Sequence, residues 1–147
     1  MNNSPPRVVT GSDWARPSQY AKRSVLVIDD HPFMREIVRN ILRDIGFGKV
    51  ATAIDGEAAL HFLTGGDYNL DLIVCDIDME PMNGLDFLAE LRSHKSELLR
   101  LVPVIMLTSH AEPAKVLEAK HVGTDAYLLK PVSRASLEAR VEFLLSK

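Results

Sequence analysis

Residues 24–30 read Ser-Val-Leu-Val-Ile-Asp-Asp, a run of four apolar residues that ends in two aspartates. Val25, Val27 and Ile28 are β-branched, and a short unbroken apolar run of this kind is typical of a strand buried on both faces. Such a strand lies inside a parallel sheet that helices cover on both sides. The stretch therefore predicts a central parallel strand with two carboxylates at its carboxyl end.

Beyond this strand the chain alternates apolar runs with helical patterns. From Met34 to Ile45 apolar residues recur at helical spacing, with Pro32 suited to the first turn and Gly46 to the end of the helix. Further strands are predicted near 50–53, 71–75, 102–107 and 126–129, and further helices near 56–63, 84–94, 112–121 and from Ser133 onward. Strict alternation predicts an α/β fold, a doubly wound five-stranded parallel sheet with helices on both faces.

The length and charge of the chain restrict its class. With 147 residues and a formal net charge of −3, it fits one soluble domain of about 100 to 200 residues. Residues 1–23 hold four basic residues and one acidic residue, so residues 24–147 carry a charge of −6. An acidic body argues against nucleic acid as a partner, because phosphates are neutralised by basic surfaces.

The cysteine count and hydropathy indicate a cytoplasmic protein. Cys75 is the single cysteine, so the sequence holds neither a disulfide framework nor a thiolate metal site. No stretch approaches the ~20 apolar residues that span a bilayer, and the first 23 residues lack the apolar core of a signal peptide. We therefore expect a cytoplasmic protein without a membrane partner.

Residues 1–23 differ in composition from the rest of the chain. They are rich in proline, serine and basic residues, and they show no apolar periodicity. We interpret them as a flexible basic tail that precedes a folded body at 24–147. A docking role for this segment, which contains Trp14, is the alternative interpretation.

Polar residues that are unusual next to buried strands all fall at predicted strand ends: Asp29, Asp30, Asp76, Thr108, Ser109 and Lys130. Each residue alone has a plain explanation as a turn or a helix cap. Ligands of open parallel sheets bind at the carboxyl ends of the strands. Because turn chemistry gives no reason to collect three carboxylates, a hydroxyl and a lysine on one edge, the set predicts a single pocket.

The residue types in this pocket indicate phosphoryl chemistry. Three carboxylates within a few ångströms repel one another, so one of them becomes protonated or the group recruits a cation. Carboxylate, carbonyl and water oxygens suit Mg²⁺, which often brings in a phosphate oxygen. Lys130 can pair with an aspartate or with added phosphoryl charge, and the Thr108 hydroxyl can bind a phosphoryl oxygen. A carboxylate is the best candidate nucleophile.

Four segments of the sequence resemble the receiver domain of two-component response regulators. They are VLVIDD at 25–30, DIDMEPMNG at 76–84, VIMLTS at 104–109 and GTDAYLLKP at 123–131. Together they extend the resemblance over nearly all of residues 24–147. The segment Met34–Leu42, with Gly46-Phe47 and Asp55-Gly56, is most similar to the CheY-like chemotaxis branch of this family.

The resemblance implies a fold and a set of roles. The sheet would have the flavodoxin-like order 2-1-3-4-5. Asp76 would accept a phosphoryl group from a histidine kinase or a histidine phosphotransfer protein. Asp30, Asp76 and the main-chain carbonyl of Asp78 would hold Mg²⁺, with Asp29 acting through water. Thr108 and Lys130 would bind the phosphoryl group.

The resemblance also implies how the signal leaves the domain. Tyr127 would change rotamer as Thr108 moves. The downstream target protein would bind a face made of the fourth of the helices predicted above, the fifth strand and the last helix. Because one helix is predicted after Lys130-Pro131, we expect output by protein contact.

Two positions near the acceptor depart from the family pattern. Glu80 precedes Pro81 where many members have methionine, and His110 stands two residues after Thr108. We interpret both as solvated loop residues. Cys75 adjoins Asp76, but strand alternation directs the two side chains to opposite faces, which favours a small buried thiol over a redox residue.

Two other functions are compatible with some of these residues. A haloacid dehalogenase-type aspartyl-phosphate phosphatase also uses an Asp-x-Asp, a Thr or Ser, a lysine and an acidic pair. In that family the acidic pair comes last along the chain, whereas here it comes first, and the sequence has no insertion for a lid that excludes water. A receiver that binds partners without phosphorylation is the second alternative. We expect a phosphoacceptor signalling protein rather than an enzyme, with self-catalysed phosphotransfer and slow autodephosphorylation only.

Overall fold

The computed structural model describes residues 18–65, 69–109 and 113–146, apart from the side chains of 113–117. Five parallel strands form one sheet in the order β2-β1-β3-β4-β5. The strands are β1 Ser24–Ile28, β2 Lys49–Ala53, β3 Leu72–Asp76, β4 Val104–Thr108 and β5 Ala126–Leu129. The main helices are α1 Pro32–Ile45, α2 Gly56–Thr64, α3 Gly84–Arg92, α4 Pro113–Val122 and α5 Arg134–Leu145. The predicted doubly wound α/β fold with order 2-1-3-4-5 is confirmed.

The central strands are buried on both faces, and each face belongs to a separate apolar cluster. Leu26 and Ile28 of β1 pack with residues of α2, α3 and α4. Val25 and Val27, which alternate with them, pack with residues of α1 and α5 on the other face. Apolar side chains of a strand must find partners on both sides when helices cover both faces. This is why the run at 25–28 is apolar without interruption.

Local sequence signals set the helix ends. Asp55, Asn83 and Ser133 each cap a helix, accepting a hydrogen bond from a backbone N–H of its first turn. Helix α1 begins at Pro32 and ends at Gly46, whose φ of 117° lies in the left-handed region that glycine adopts at low cost. The predicted roles of Pro32 and Gly46 and the predicted helix start at Ser133 are therefore confirmed.

Three boundaries differ from the sequence prediction. Strands β3 and β4 each extend one residue further, so Asp76 and Thr108 are the last residues of their strands. Helix α3 ends at Arg92 instead of near residue 94, and a one-turn helix, Glu97–Arg100, precedes β4. Ser96 caps this turn, but four residues are too few to show a helical period.

Residues 18–23, which the sequence placed in the tail, pack against the domain. Tyr20 is only 3% exposed, and its ring stacks on Phe47 with the two centroids 5.2 Å apart. Arg23 forms an ion pair with Asp71 at 3.1 Å. The packed body thus includes Tyr20. The sequence did not predict this, because the packing depends on one aromatic side chain and not on a periodic pattern. The rest of the predicted tail, including Trp14, lies outside the described residues.

In the described part of the chain, no helix is long and apolar enough to cross a bilayer.

Candidate functional site

The sheet brings the predicted site residues to one edge. Strands β1 and β3 are neighbours, with Ile28 opposite Cys75. This register places Asp29, the residue after β1, beside Asp76, the last residue of β3. On the other side of β3, strand β4 ends at Thr108, whose carbonyl accepts a 2.7 Å hydrogen bond from the Lys130 N–H. The structure thus brings these residues together at the carboxyl ends of the strands, as the sequence predicts.

Asp76 is the most buried carboxylate of the group, at 1% exposure, together with Asp29. Its Oδ1 lies 3.0 Å from the Lys130 ammonium and accepts a 3.3 Å hydrogen bond from the Asp78 N–H. Its Oδ2 has no hydrogen-bond partner among the described residues. Burial raises the pKa of the Asp76 carboxyl above its usual range, while the Lys130 ammonium acts in the opposite direction. Oδ1 is thus held by Lys130 and the Asp78 N–H, whereas Oδ2 can contact an incoming group.

The two aspartates after β1 have different environments. Asp29 is buried, its Oδ1 accepts a hydrogen bond from the His31 N–H at 2.9 Å, and its Oδ2 lies 3.8 Å from the Lys130 ammonium. Asp30 is partly exposed, and its Oδ2 accepts a 3.2 Å hydrogen bond from the Glu80 N–H. Asp29 and Asp76 share the Lys130 ammonium, so together with Asp30 the site holds more carboxylates than lysines and carries excess negative charge.

His31 belongs to the same group, although sequence analysis did not assign it to the site. Its Nδ1 is 2.9 Å from Asp30 Oδ1 and 3.4 Å from Asp29 Oδ1. One potential ligand atom from each of Asp29, Asp30, His31 and Asp76 lies within 4.8 Å of the others. The signal in the sequence is the direct adjacency of His31 to the aspartate pair, but Pro32 made the residue look like a simple helix start.

The loop after β3 forms the outer wall. Asp78 is partly exposed and Glu80 is exposed, which agrees with the interpretation of Glu80 as a solvated loop residue. An open cavity of about 460 Å³ is lined by Asp30, His31, Asp78, Glu80 and Glu118, among others. Its lining is strongly acidic, and such a cavity favours a cation. His110, the other departure noted in the sequence, lies outside the described residues.

Thr108 and Tyr127 lie on β4 and β5, the two strands on the far side of β3 from the aspartate pair. Thr108 is fully buried at the end of β4, and Tyr127 of β5 pairs with Met106 of β4 in the sheet register. The Tyr127 side chain is partly buried and packs against the apolar cluster that includes Ala119 of α4. The two residues are therefore on neighbouring strands between the carboxylates and α4.

Cys75 faces away from the carboxylates, as strand alternation predicts. It is fully buried in the apolar cluster beneath α2, α3 and α4. Burial raises the pKa of the Cys75 thiol well above its usual range, so the thiol stays protonated at neutral pH. The interpretation of Cys75 as a small buried thiol agrees with this environment.

The buried aspartate, the lysine beside it and the acidic pair match the site residues implied by the family that the sequence resembles. The family model of the response regulator receiver domain matches residues 25–142. The chain belongs to this family. As a receiver domain it is a signalling module, and nothing among its relatives favours the phosphatase or the phosphorylation-independent alternative.

Relatives of this receiver domain include two chemotaxis proteins. It is 37% identical over 123 residues to the chemotaxis protein CheY-3 of Vibrio cholerae, a match that covers 84% of this chain and 92% of the relative. It is also 37% identical over 123 residues to the chemotaxis protein CheY of Pseudomonas aeruginosa, covering 84% and 96% of the two chains. The similarity to the CheY-like branch is thereby confirmed.

Solved structures agree with this assignment. The receiver domain superimposes on chemotaxis protein CheY4 of Vibrio cholerae with a TM-score of 0.75, at 32% identity and with 84% of this chain and 98% of the other covered. A putative response regulator from Chloroflexus aurantiacus gives a TM-score of 0.77 at 26% identity, with 90% and 100% covered. The fold and the order of the site motifs are thus those of a receiver.

Proposed function

We propose that this receiver domain accepts a phosphoryl group on Asp76 and signals by binding a partner protein in a phosphorylation-dependent way. The observation that carries the proposal is the Asp76 carboxylate, which is buried, paired through Oδ1 and without a hydrogen bond from the described residues at Oδ2. The donor would be a phosphohistidine of a histidine kinase or of a histidine phosphotransfer protein. The names of the two relatives make chemotaxis the first pathway to test.

The proposed reaction is a direct transfer. Asp76 Oδ2 attacks the phosphorus atom, the P–O bond forms, and the P–N bond to the donor histidine breaks. The electron pair of that bond stays on the imidazole nitrogen of the donor. Asp76 attacks as a carboxylate, so no proton has to leave it. Lys130, 3.0 Å from Oδ1, holds the carboxylate ionised and in place. The main-chain N–H of Asp78 supports the same oxygen.

A divalent cation fits the remaining oxygens. Besides the nucleophilic Asp76 Oδ2, Asp30 Oδ1 and Asp29 Oδ2 are buried oxygens that accept no hydrogen bond from the described residues. Asp30, Asp76 and the main-chain carbonyl of Asp78 would hold Mg²⁺, with Asp29 acting through water. The ion would neutralise charge that builds up on the transferring group.

The signal would leave through the side of the domain beyond Thr108. Phosphorylation adds about −1.5 to −2 of charge beside Thr108 and Lys130. Thr108 would turn inward to donate a hydrogen bond, and Tyr127 would occupy the space that it vacates. The affected face contains an open cavity of about 610 Å³ lined by Lys120, Tyr127, Arg140 and Phe143, among others. Phe143, at 72% exposure, offers an apolar contact for the target.

Phosphorylation with phosphoramidate and Mg²⁺ tests the acceptor, because the P–N bond of this donor matches that of phosphohistidine. Intact mass should rise by one phosphoryl group in the parent and remain unchanged in Asp76→Asn. Asp44→Asn, which changes an exposed aspartate of α1, is the matched control and should be labelled like the parent. Labelling of Asp76→Asn to the parental level would refute the assignment.

A further inference from the structure

We propose that the His31 imidazole is a ligand of the cation site, so that this receiver prefers a nitrogen-binding divalent ion such as Mn²⁺ or Co²⁺ over Mg²⁺. This inference rests on the proposed function, because it concerns the ion that accompanies phosphorylation of Asp76. It starts from the position of Nδ1, 2.9 Å from Asp30 Oδ1 and 3.4 Å from Asp29 Oδ1.

The contact between His31 and Asp30 does not have hydrogen-bond geometry. Asp30 Oδ1 is buried and accepts no hydrogen bond from the described residues, although Nδ1 is 2.9 Å away. Two ligand atoms at right angles around one ion, each at about 2.1 Å, are about 3.0 Å apart. The spacing of Nδ1 and Oδ1 is therefore that of two neighbouring ligands of one ion.

The other potential ligand atoms lie close enough to bind the same ion. Ligand atoms of Asp29, Asp30, His31 and Asp76 all lie within 4.8 Å of one another. Atoms on opposite sides of such an ion are about 4.2 Å apart, so small side-chain adjustments bring Asp30, His31 and Asp76 onto one ion, with Asp29 acting through water. The buried Asp29 Oδ2, which accepts no hydrogen bond from the described residues and takes no part in the proposed transfer, points independently to a cation in this group.

The backbone of His31 is fixed while its side chain remains free to adjust. Its N–H donates to Asp29 Oδ1 at 2.9 Å, and its carbonyl accepts from the Arg35 N–H at 2.9 Å. The imidazole itself is 63% exposed. The exposed imidazole can therefore turn the lone pair of Nδ1 toward an ion that is also held by Asp30.

A nitrogen ligand changes which ion the site prefers. Carboxylate and carbonyl oxygens suit Mg²⁺, whereas an imidazole suits later first-row ions, whose affinity rises from Mn²⁺ to Co²⁺ and Ni²⁺. Mg²⁺ would use the carboxylates and water and gain little from His31. Loss of the imidazole should therefore weaken Co²⁺ and Mn²⁺ binding and leave Mg²⁺ binding nearly unchanged.

Metal titrations of the parent, His31→Ala and His61→Ala test this selectivity. His61 is an exposed histidine of α2 outside the site and serves as the control. The titrations are run at mildly alkaline pH, because histidine binds metal through a neutral nitrogen. We expect His31→Ala to lose about tenfold in Co²⁺ affinity, equivalent to ~1.4 kcal/mol, with Mg²⁺ affinity kept and His61→Ala like the parent.

Pulsed EPR of bound Mn²⁺ gives a direct readout of the nitrogen ligand. The parent should show ¹⁴N modulation from a coordinated imidazole, and His31→Ala should lack it. Modulation that persists in His31→Ala, or equal Co²⁺-to-Mg²⁺ affinity ratios in the two proteins, would overturn the proposal.

Phosphoramidate labelling separates this inference from the proposed function. If His31 is not a ligand but Asp76 is still labelled in the presence of Mg²⁺, only the inference fails. If neither ion binds the parent and Asp76 is not labelled, both fail.

Discussion

At the scale of single residues, Asp76 carries a conflict between burial and charge. Burial raises the pKa of the Asp76 carboxyl, and the neighbouring Lys130 ammonium acts in the opposite direction by favouring the charged form. A carboxylate in water is surrounded by donors that must be displaced before it attacks. Asp76 Oδ2 accepts no hydrogen bond from the described residues, so an electrophile meets a nucleophile that needs little reorganisation. The same arrangement that suits a reaction is unfavourable for the folded state.

The substitution Asp76→Asn should therefore stabilise the fold at neutral pH. A carboxyl whose pKa is higher in the folded state binds more protons there than in the unfolded chain, so stability falls as pH rises from the unfolded pKa through the folded one. Above that window the charge of Asp76 is a persistent cost. Urea unfolding at neutral pH should show Asp76→Asn more stable than the parent by on the order of 1 kcal/mol.

This gain should shrink as pH is lowered through the pKa of Asp76, because the parent carboxyl then becomes neutral as well. The exposed variant Asp44→Asn should show no comparable gain at either pH. A difference between Asp76→Asn and the parent that stays constant from neutral to acidic pH would contradict this account of the burial cost.

At the scale of elements, Arg92 joins the end of α3 to two connections that precede strands. Its guanidinium donates to the carbonyls of Gly123, Arg100 and Val102 at 2.9, 3.0 and 2.8 Å. It also pairs with Asp125 at 2.9 Å, and Asp125 in turn accepts from the Val104 N–H. One side chain thus satisfies carbonyls that no strand or helix pairs, and it fixes how β4 and β5 enter the sheet.

Arg92→Met should destabilise the domain by about 2–4 kcal/mol, because it leaves several partly buried acceptors and Asp125 without their donor. The control Arg134→Met removes an exposed pair with Glu138 and should cost about 0.5 kcal/mol or less. Denaturant unfolding of the two variants measures both values. Equal losses would show that Arg92 acts as an ordinary surface residue.

Features that follow from short local patterns could be predicted from the sequence, whereas features that depend on distant partners could not. The strand at 25–28 and helix α1 follow from periodic patterns within short windows, and both were predicted. Arg92 and Tyr20 act through partners far along the chain, such as Gly123 and Phe47, and no local pattern marks them. The helical turn at 97–100 spans little more than one helical period, which is too short for a repeat to show in the sequence. His31 was missed because its role depends on a side-chain position, whereas Asp29 and Asp76 follow from strand ends alone.

At the scale of the whole molecule, the sheet links an acidic edge to a separate face. Thr108 is the last residue of β4, and Tyr127 lies on the adjacent strand β5. The partly buried ring of Tyr127 packs against the apolar cluster under α4. Interiors are close-packed, so a side chain that moves inward leaves space that a neighbour fills. A phosphoryl group on Asp76 shifts the equilibrium between the two packings only by its preference for the one with Thr108 inward.

Thr108→Ala should therefore separate phosphorylation from its readout. The variant keeps Asp76 and Lys130, so phosphoramidate should still add one phosphoryl group by intact mass. In the parent, phosphorylation should shift the backbone amide signals of Tyr127 and Leu128 and of the α5 residues around Phe143 in NMR spectra. In Thr108→Ala these remote shifts should be largely lost, because the hydroxyl that stabilises the inward packing is missing, while signals near Asp76 still move.

The matched control is Thr52→Ala, which removes an exposed hydroxyl from β2, the strand at the opposite edge of the sheet. It should be phosphorylated and should show the same remote shifts as the parent. Local charge alone would also move signals close to Asp76, but the effect of charge falls off with distance in a screened solvent. Equal remote shifts in Thr108→Ala and Thr52→Ala would therefore mean that the phosphoryl charge reaches the Tyr127 face by a route that does not use Thr108.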